Sequence, residues 1–195
     1  MDTRINDDYS AERVADRLAI QDVMFRWCRA VDRLDFSAIK EVFHPDAIDD
    51  HGIYSGNVEG LVAWIRQRHE KIPFSMHQVS NMLIEFASPD SALAETYIWS
   101  VQRYSADGKA SLAQLSGGAE GKPGGESDMF GAHRYIDRFE RRDGLWKIIH
   151  RTVVMGWRTI VDVDPNGPQM LPQWTVARRD QEDFVFAERQ RLGIR

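Results

Sequence analysis

Apolar residues recur every three or four positions in the first part of the chain, along the segment AERVADRLAIQDVMFRWCRAVD. This period predicts an amphipathic α-helix over about residues 11–32. A second, short helix is predicted over residues 35–43, where Asp35 or Ser37 can cap its start. A third is predicted over residues 57–72, in the segment NVEGLVAWIRQRHEKI. The chain therefore begins with three predicted helices.

The pattern changes to that of β-strands after the third helix. Residues 76–88 and 92–106 are two extended runs joined by the turn sequence PDS. Residues 134–142 and 145–157 flank the dipeptide Asp-Gly, a strong signal for a two-residue hairpin turn. Helices followed by long antiparallel strands predict an α+β domain, with three helices packed on one curved sheet and a pocket between the two layers.

Two segments stand outside this helix-then-strand pattern. Residues 107–128 are rich in glycine and poor in large apolar residues, so we expect a long mobile loop that acts as a lid, forms an interface or stays unstructured. A connector rich in proline and glycine then leads to a final predicted helix over residues 177–192. We expect the whole chain, residues 1–195, to form a single domain.

Asp32 lies at the end of the first predicted helix, where its direction decides whether it is an ordinary surface charge. On a helical wheel with Leu18 at the origin, Asp32 falls at about 320°. That position lies between Phe25 and Cys28 on the apolar side. If the helix instead ends near Val31, Asp32 is a surface or turn residue. A buried carboxylate needs a partner, because an unpaired one is costly, so the histidines and arginines become candidate partners.

Charge and composition exclude several classes of function. The net charge is −5, and the sequence has no basic run that would follow a phosphate backbone, so we expect no nucleic-acid partner. No apolar stretch is long enough for a membrane span, and the polar N-terminus lacks the apolar run of a signal peptide. The single cysteine, Cys28, excludes an internal disulfide and a multi-cysteine metal site. We therefore expect a cytoplasmic protein with no membrane partner.

Histidines supply the candidate bases. His77 opens a predicted strand and could face the pocket, although a structural role is the alternative. His133 and His150 also lie in predicted strands and could line the same pocket. His69 comes late in a helix among charged residues, so we expect it to be solvated, and His44 is expected at a helix end.

A metal site is the other interpretation of the histidines in the segment HPDAIDDH, residues 44–51. Histidine and aspartate suit a transition metal or calcium. The spacing matches neither an HExxH motif nor an EF-hand loop, and turns are commonly rich in aspartate. We predict no metal and no cofactor.

Three segments together resemble the SnoaL-like branch of the nuclear transport factor 2-like superfamily. They are RLAIQDVMFRWCRAVDRLDFSAIKEVFHPDA, MHQVSNMLIEF and GAHRYIDRFERRDGLWKIIHRTVV. The resemblance covers about residues 12–158 and leaves residues 159–195 as a C-terminal extension. It implies a cone-shaped α+β barrel, with three helices on a strongly curved antiparallel sheet. The family includes cofactor-free lyases such as scytalone dehydratase, bile acid dehydratase and lindane dehydrochlorinase, and also cyclases, isomerases, oxygenase small subunits and binding modules.

The resemblance also implies site residues. Asp32 and His77 match the aspartate and histidine of the dehydratase motif, and Arg151 matches an arginine of the last strand. Trp27 occupies the position where some dehydratases carry a catalytic tyrosine, so the acid of the reaction has no assigned residue, although His133, Tyr135 or Tyr97 could substitute. The expected substrate-binding residues are Trp27, Phe43, Trp64, Tyr97, Trp99, His133, Tyr135 and Met155.

The implied function is a cofactor-independent lyase, a dehydratase or related elimination enzyme, that acts on a small apolar aromatic or polycyclic molecule. In this hypothesis Asp32 orients His77, His77 is the general base, and Arg151 stabilises developing negative charge. The alternatives are a non-catalytic ligand-binding module or oxygenase small subunit, and an isomerase, cyclase or retro-aldol lyase that releases formaldehyde from a diaryl compound. The resemblance further implies a homodimer or homotrimer.

Overall fold

The structure, a computed structural model, describes residue 6 and residues 8–194, and it consists of helices that cover one face of a curved sheet. The helices are α1 (Ala11–Arg33), α2 (Phe36–Glu41), α3 (Val58–Arg68), α4 (Lys109–Ser116) and α5 (Phe184–Arg191). A short 3-10 helix, His69–Lys71, continues α3. The strands are β1 (Phe43–Asp50), β2 (Ser55–Asn57), β3 (Phe74–Ser88), β4 (Ser91–Tyr104), β5 (Ser127–Arg142) and β6 (Leu145–Asp162). The predicted α+β cone with three N-terminal helices and a C-terminal helix is confirmed.

The six strands form one sheet in the order β2-β1-β6-β5-β4-β3. Strands β3 to β6 are a run of antiparallel neighbours, as predicted. The β5–β6 hairpin turns at Asp143 and Gly144, whose φ angles of 53° and 78° are the positive values that a tight hairpin requires. Strand β1 departs from the prediction of a purely antiparallel sheet, because it pairs with β6 in the parallel direction.

Irregular register between neighbouring strands accompanies the curvature of the sheet. The β3–β4 register shifts between Val79 and Met82, and the β5–β6 register shifts between Ala132 and His133. Extra residues of this kind bend a strand and increase its twist. Gly156 lies at the second shift, where a β-carbon would come within 2.6 Å of the Ala132 carbonyl oxygen. The two strands can approach this closely because residue 156 has no side chain.

Helix α1 buries a face that differs from the apolar arc of the helical wheel. Leu18 and Phe25 are 60% and 53% exposed, whereas Ile20 and Met24 are fully buried. The wheel was therefore wrong about the centre of the buried face. Asp32 lies within the helix and is only 4% exposed, so the interpretation in which the helix ends near Val31 is also wrong.

Several element boundaries differ from the sequence-based ones. Helix α2 begins at its cap Asp35 as predicted, but it ends at Glu41, so His44 lies in β1 and not at a helix end. The glycine-rich segment contains helix α4, whose Leu112 is buried against a small second core, so the prediction of a long loop there was wrong. The final helix begins only at Phe184, because the residues before it form turns.

The main core lies between α1, α3 and the concave face of the sheet. Its fully buried side chains include Ile20, Met24, Ile39, Leu61, Phe139 and Ile148. Burying apolar side chains of this size stabilises a fold by roughly 1.5–3 kcal/mol each before the cost of ordering them. Within the described part of the chain, no helix combines the length and the apolar composition needed to cross a membrane.

Candidate active site

A cavity of about 650 Å³, measured with its open mouth, lies between the helices and the concave face of the sheet. Five of the eight residues predicted to bind substrate line it: Trp27, Trp64, His133, Tyr135 and Met155. His77 lines it as well. The cavity is therefore aromatic and apolar, with histidines as its principal titratable groups.

Asp32 and His77 are in direct contact at this cavity. His77 Nδ1 donates to Asp32 Oδ1 over 2.7 Å, and the His77 backbone N–H donates to Asp32 Oδ2 over 2.8 Å. The Ser75 hydroxyl adds a third hydrogen bond to Oδ1, over 2.9 Å. Ser75 and His77 are two positions apart on β3, so both side chains lie on the inward face of that strand. With Nδ1 held by the carboxylate, Nε2 is the nitrogen of His77 that is left to contact a ligand.

Arg179, from the C-terminal extension, supports the end of helix α1 that carries Asp32. Its guanidinium donates to the carbonyl oxygens of Val31, Asp32 and Ile72 over 3.0, 3.0 and 2.6 Å. Burial lowers the pKa of Arg179 to about 10, against the opposing attraction of Asp32, so the group remains charged at neutral pH. The last carbonyls of a helix have no partner within the helix, and Arg179 supplies one.

A second histidine–aspartate pair lies on another wall of the same cavity. His51 Nδ1 donates to Oδ1 of Asp49, which is fully buried. The backbone N–H of His51 donates a hydrogen bond to the Tyr54 carbonyl oxygen over 2.8 Å. The His51 ring lines the cavity, 5.3 Å from the ring of Trp64.

Two other cavity histidines are held in the neutral form. Burial lowers the pKa of His133 to about 3, and the charges of His77 and His51 act in the same direction. Burial and the neighbouring Arg68 lower the pKa of His69 well below its ordinary value. His69 is only 4% exposed, so the prediction that it is solvated was wrong. Neither ring is suited to hold a proton at neutral pH.

Two arginines that the sequence analysis did not assign also line the cavity. Arg68 is buried and donates to Gln102 Oε1 over 2.7 Å and to the Tyr104 hydroxyl over 2.5 Å. Arg158 lies on β6 and is partly buried. Burial lowers the pKa of both groups, and among the residues that the structure describes no carboxylate lines the cavity beside them. The cavity therefore has positive charge that an anionic or electron-rich group of a ligand can meet.

Arg151 is not one of the cavity residues, which corrects its predicted contact with substrate. Its guanidinium is fully buried and donates to both oxygens of Asp137, over 2.7 and 2.8 Å. Burial alone would lower the pKa of Arg151, but the attraction of Asp137 and its hydrogen bonds outweighs this and raises it, so the pair stays charged. The rings of Trp27 and Tyr135 cover the guanidinium at 4.5 and 4.2 Å. Arg151 thus supports the cavity floor from behind.

Three of the predicted substrate-binding residues lie elsewhere. Phe43 belongs to the core and packs edge-on against Trp27. Tyr97 and Trp99 are 41% and 42% exposed, because they alternate with the inward-facing residues of β4 and so lie on its convex face. Trp99 stacks there on Trp157, at 5.7 Å between ring centroids. The assignment of these three side chains to the pocket was wrong.

The remaining histidines and aspartates of the proposed metal segment point in different directions. His44 Nε2 contacts the Glu140 carbonyl oxygen over 2.9 Å, and Asp46 pairs with Arg142. Among the described residues, no three histidine, cysteine, aspartate or glutamate side chains are arranged to hold a metal ion. His150 precedes the inward-facing Arg151 on β6, so it faces the opposite side of the sheet.

The residues that sequence reasoning missed had weak local signals. Asp49 and His51 are two positions apart at the end of a strand, a spacing that places both on one face. Arg68 continues the buried stripe of α3 that includes Leu61 and Ile65. Arg179 gave no signal, because its partners are distant in sequence.

Comparison with known proteins agrees with this architecture. The family model of the SnoaL-like domain matches residues 12–152. No curated protein matches the sequence. Among solved structures, a hexachlorocyclohexane dehydrochlorinase, LinA type 2, is similar with a TM-score of 0.63 at 20% identity, over 84% of this chain and 98% of that one.

Two further solved structures show the same likeness. LinA type 3 from Novosphingobium barchaimii has a TM-score of 0.63 at 21% identity, over 83% of this chain and 97% of that one. A provisionally assigned scytalone dehydratase from Novosphingobium aromaticivorans has a TM-score of 0.62 at 17% identity, over 82% of this chain and 98% of that one. At such identities the likeness establishes the fold, and the chemistry has to be argued from the cavity.

Proposed function

The chain belongs to the SnoaL-like domain family, and from that premise we propose that it is a cofactor-independent lyase acting on a small apolar aromatic or polycyclic molecule. The observation that carries the proposal is the contact between His77 and Asp32 at the wall of the cavity. A base whose second nitrogen is held by a buried carboxylate has a fixed tautomer and a stabilised cationic form.

The proposed reaction begins with removal of a proton from a carbon next to a carbonyl group or an electron-poor ring. His77 Nε2 accepts this proton, and the Asp32 carboxylate stabilises the imidazolium that results. The electron pair of the broken C–H bond then forms a double bond as the leaving group departs. His77 is the catalytic residue of this step, and Asp32 is its positioning residue.

Positive charge in the cavity supports the choice of an elimination through an enolate-like state. Arg68 and Arg158 replace Arg151 as the groups that can stabilise developing negative charge, because they line the cavity and Arg151 does not. The aromatic lining, which includes Trp27, Trp64 and Tyr135, favours a flat apolar substrate. The solved dehydrochlorinase structures with the same fold are named for elimination of this general kind.

The test is a screen of β-hydroxy aryl ketones, diaryl diols and chlorinated cyclohexanes, read by ultraviolet absorbance and product mass. Loss of water, chloride or formaldehyde identifies a lyase, and an unchanged mass identifies an isomerase or cyclase. We expect His77→Gln and Asp32→Asn each to lower turnover by about 100-fold or more, the range associated with a general base.

The matched control is His150→Gln, which removes an imidazole from the opposite side of the sheet and should leave turnover unchanged. Circular dichroism of each variant shows whether it is folded. Wild-type turnover in a folded His77→Gln protein would contradict the assignment of the base. A protein that binds the screened compounds without converting them would instead be a ligand-binding module.

A further inference from the structure

The carboxylate of the pair formed by Asp49 and His51 has fewer hydrogen bonds than that of the pair formed by Asp32 and His77. Asp49 is fully buried, and His51 is its hydrogen-bond donor. Its second oxygen, Oδ2, has no hydrogen-bond partner among the described residues. The ring of His51 is thus the hydrogen-bond donor to the Asp49 side chain, and Asp49 fixes which nitrogen of His51 is left for a ligand.

The buried arginine beside this pair is already committed elsewhere. Arg151 is paired across β1 and β6 with Asp49 at the level of the backbone, but its side chain donates to both oxygens of Asp137. Asp137 and Arg151 therefore neutralise each other. Asp49 therefore has the His51 ring as its hydrogen-bonded side-chain partner, and Arg68 on α3 and Arg158 on β6 are the other charged side chains that line the cavity with His51.

Asp32 is compensated in another way. It accepts three hydrogen bonds, from the Ser75 hydroxyl and from the backbone and ring of His77, and the guanidinium of Arg179 lies at the end of the same helix. Both oxygens of the Asp32 carboxylate therefore have partners, whereas only one side-chain oxygen of Asp49 has a partner among the described residues. The two carboxylates thus hold their histidines in different surroundings, and such a difference is what gives two like groups the separate roles of base and acid.

The two histidines reach the same cavity from different elements. Ring contacts run from His77 to His133 at 6.4 Å, from His133 to Tyr135 at 5.1 Å and from Tyr135 to His51 at 6.4 Å. His133 is held neutral, and burial raises the pKa of the Tyr135 hydroxyl, so neither intervening ring is a competing acid at neutral pH. His77 and His51 thus lie at the two ends of one row of rings along the cavity wall.

We propose that His51, positioned by Asp49, is the general acid of the cavity and protonates the leaving oxygen of a hydroxylated substrate, an inference that rests on the lyase function proposed above. In this step His77 Nε2 takes the proton from the carbon, and the C–H electron pair forms the C=C bond. The C–O bond breaks, and the proton from His51 Nε2 joins the departing oxygen, which leaves as water. A proton passed back from His77 to His51 through solvent restores both groups. His51 thereby fills the role that Trp27 cannot.

The first measurement is nitrogen NMR of the imidazole side chains in the full protein at about pH 7, which distinguishes the two neutral tautomers from the cation. The spectrum of His51→Gln identifies the His51 signal, and His150→Gln is the matched control that removes a histidine outside the cavity. We expect an imidazolium signal for His51 and a neutral ring protonated on Nδ1 for His77. A neutral His51 would overturn the proposal, and this outcome needs no substrate and no folded variant of Asp49.

The second measurement compares two leaving groups on one carbon skeleton, the aldol adduct of benzaldehyde and acetone and its β-chloro analogue, which both yield the same enone. Hydroxide needs a proton in order to leave and chloride does not. We expect His51→Gln to slow loss of water by about 100-fold and loss of chloride by less than about threefold. His77→Gln should slow both reactions by about 100-fold or more. Asp49→Asn should slow the loss of water more than the loss of chloride, because Asp49 acts through His51.

The outcomes separate this inference from the lyase proposal. Equal effects of His51→Gln on both leaving groups, or none on either, would show that His51 is not the acid while leaving His77 in place as the base. If the wild-type protein converts neither ketone and exchanges no carbon-bound proton for deuterium, the lyase proposal loses its support. The NMR measurement then decides by itself whether His51 holds the proton.

Discussion

Replacing Arg179 with alanine tests whether the C-terminal extension holds the end of helix α1 in place. The substitution removes donors from three carbonyl oxygens, those of Val31, Asp32 and Ile72. A hydrogen bond to a charged group contributes about 1.5–3 kcal/mol, and water that enters the vacated space recovers part of this. We expect a loss of about 3–5 kcal/mol in the free energy of unfolding. Because Asp32 lies in the last turn of α1, we also expect turnover to fall by about tenfold.

Arg178 is the matched control for this substitution. Its guanidinium pairs with Asp180 and Glu182 and is about half exposed, so Arg178→Ala should change stability by no more than about 0.5 kcal/mol. Urea unfolding, followed by tryptophan fluorescence and circular dichroism, gives both values on the same scale. If Arg179→Ala is no less stable than Arg178→Ala, the three hydrogen bonds do not hold the helix end. Unchanged turnover in a destabilised Arg179→Ala protein would show that Arg179 stabilises the fold but does not position Asp32 for catalysis.

Two further predictions concern buried charge. Asp137→Asn should lower the free energy of unfolding by about 3–5 kcal/mol, because it leaves Arg151 unpaired. In urea unfolding, the double variant Arg151→Met, Asp137→Leu should recover most of that loss. A double variant no more stable than Asp137→Asn would contradict this account. Stability should also fall as pH drops below about 6.5, since the unfolded chain then protonates His133 and His69 and the folded protein does not. His133 alone should account for about 2 kcal/mol of the fall between pH 7 and pH 5. Urea titrations at both pH values should show a smaller decrease for His133→Gln than for the wild type, and equal decreases would argue against a neutral His133.

The sequence predicted the elements that depend on local pattern. The long strands and the Asp-Gly hairpin follow from alternation and turn chemistry, and α1 follows from its helical period. Helix α4 was missed because glycine content outweighed the short apolar pattern of KASLAQLS, which becomes a helix by burying Leu112. The parallel pairing of β1 with β6 has no local signal, because it joins segments about 100 residues apart.

The candidate site was also predicted only in part from the sequence. The contact of Asp32 with His77 was predicted from the family resemblance, and the structure contains it. Whether Tyr97 and Trp99 point inward depended on which residues of β4 face the helices, and the alternation alone does not fix the side. Arg151 was assigned to the cavity because the resemblance gives a position but not a rotamer or a partner. Its partner Asp137 is on the adjacent strand β5, and no local pattern in the sequence links the two residues.

The parallel pairing of β1 with β6 has a consequence for the order in which the molecule assembles. Asp49 lies opposite Arg151, so pairing the wall that carries His51 with β6 closes a loop of about 100 residues. Asp32 and His77 are joined across a much shorter separation. Closing the longer loop has the higher entropic cost, so we expect the His77 side of the cavity to form before the His51 side.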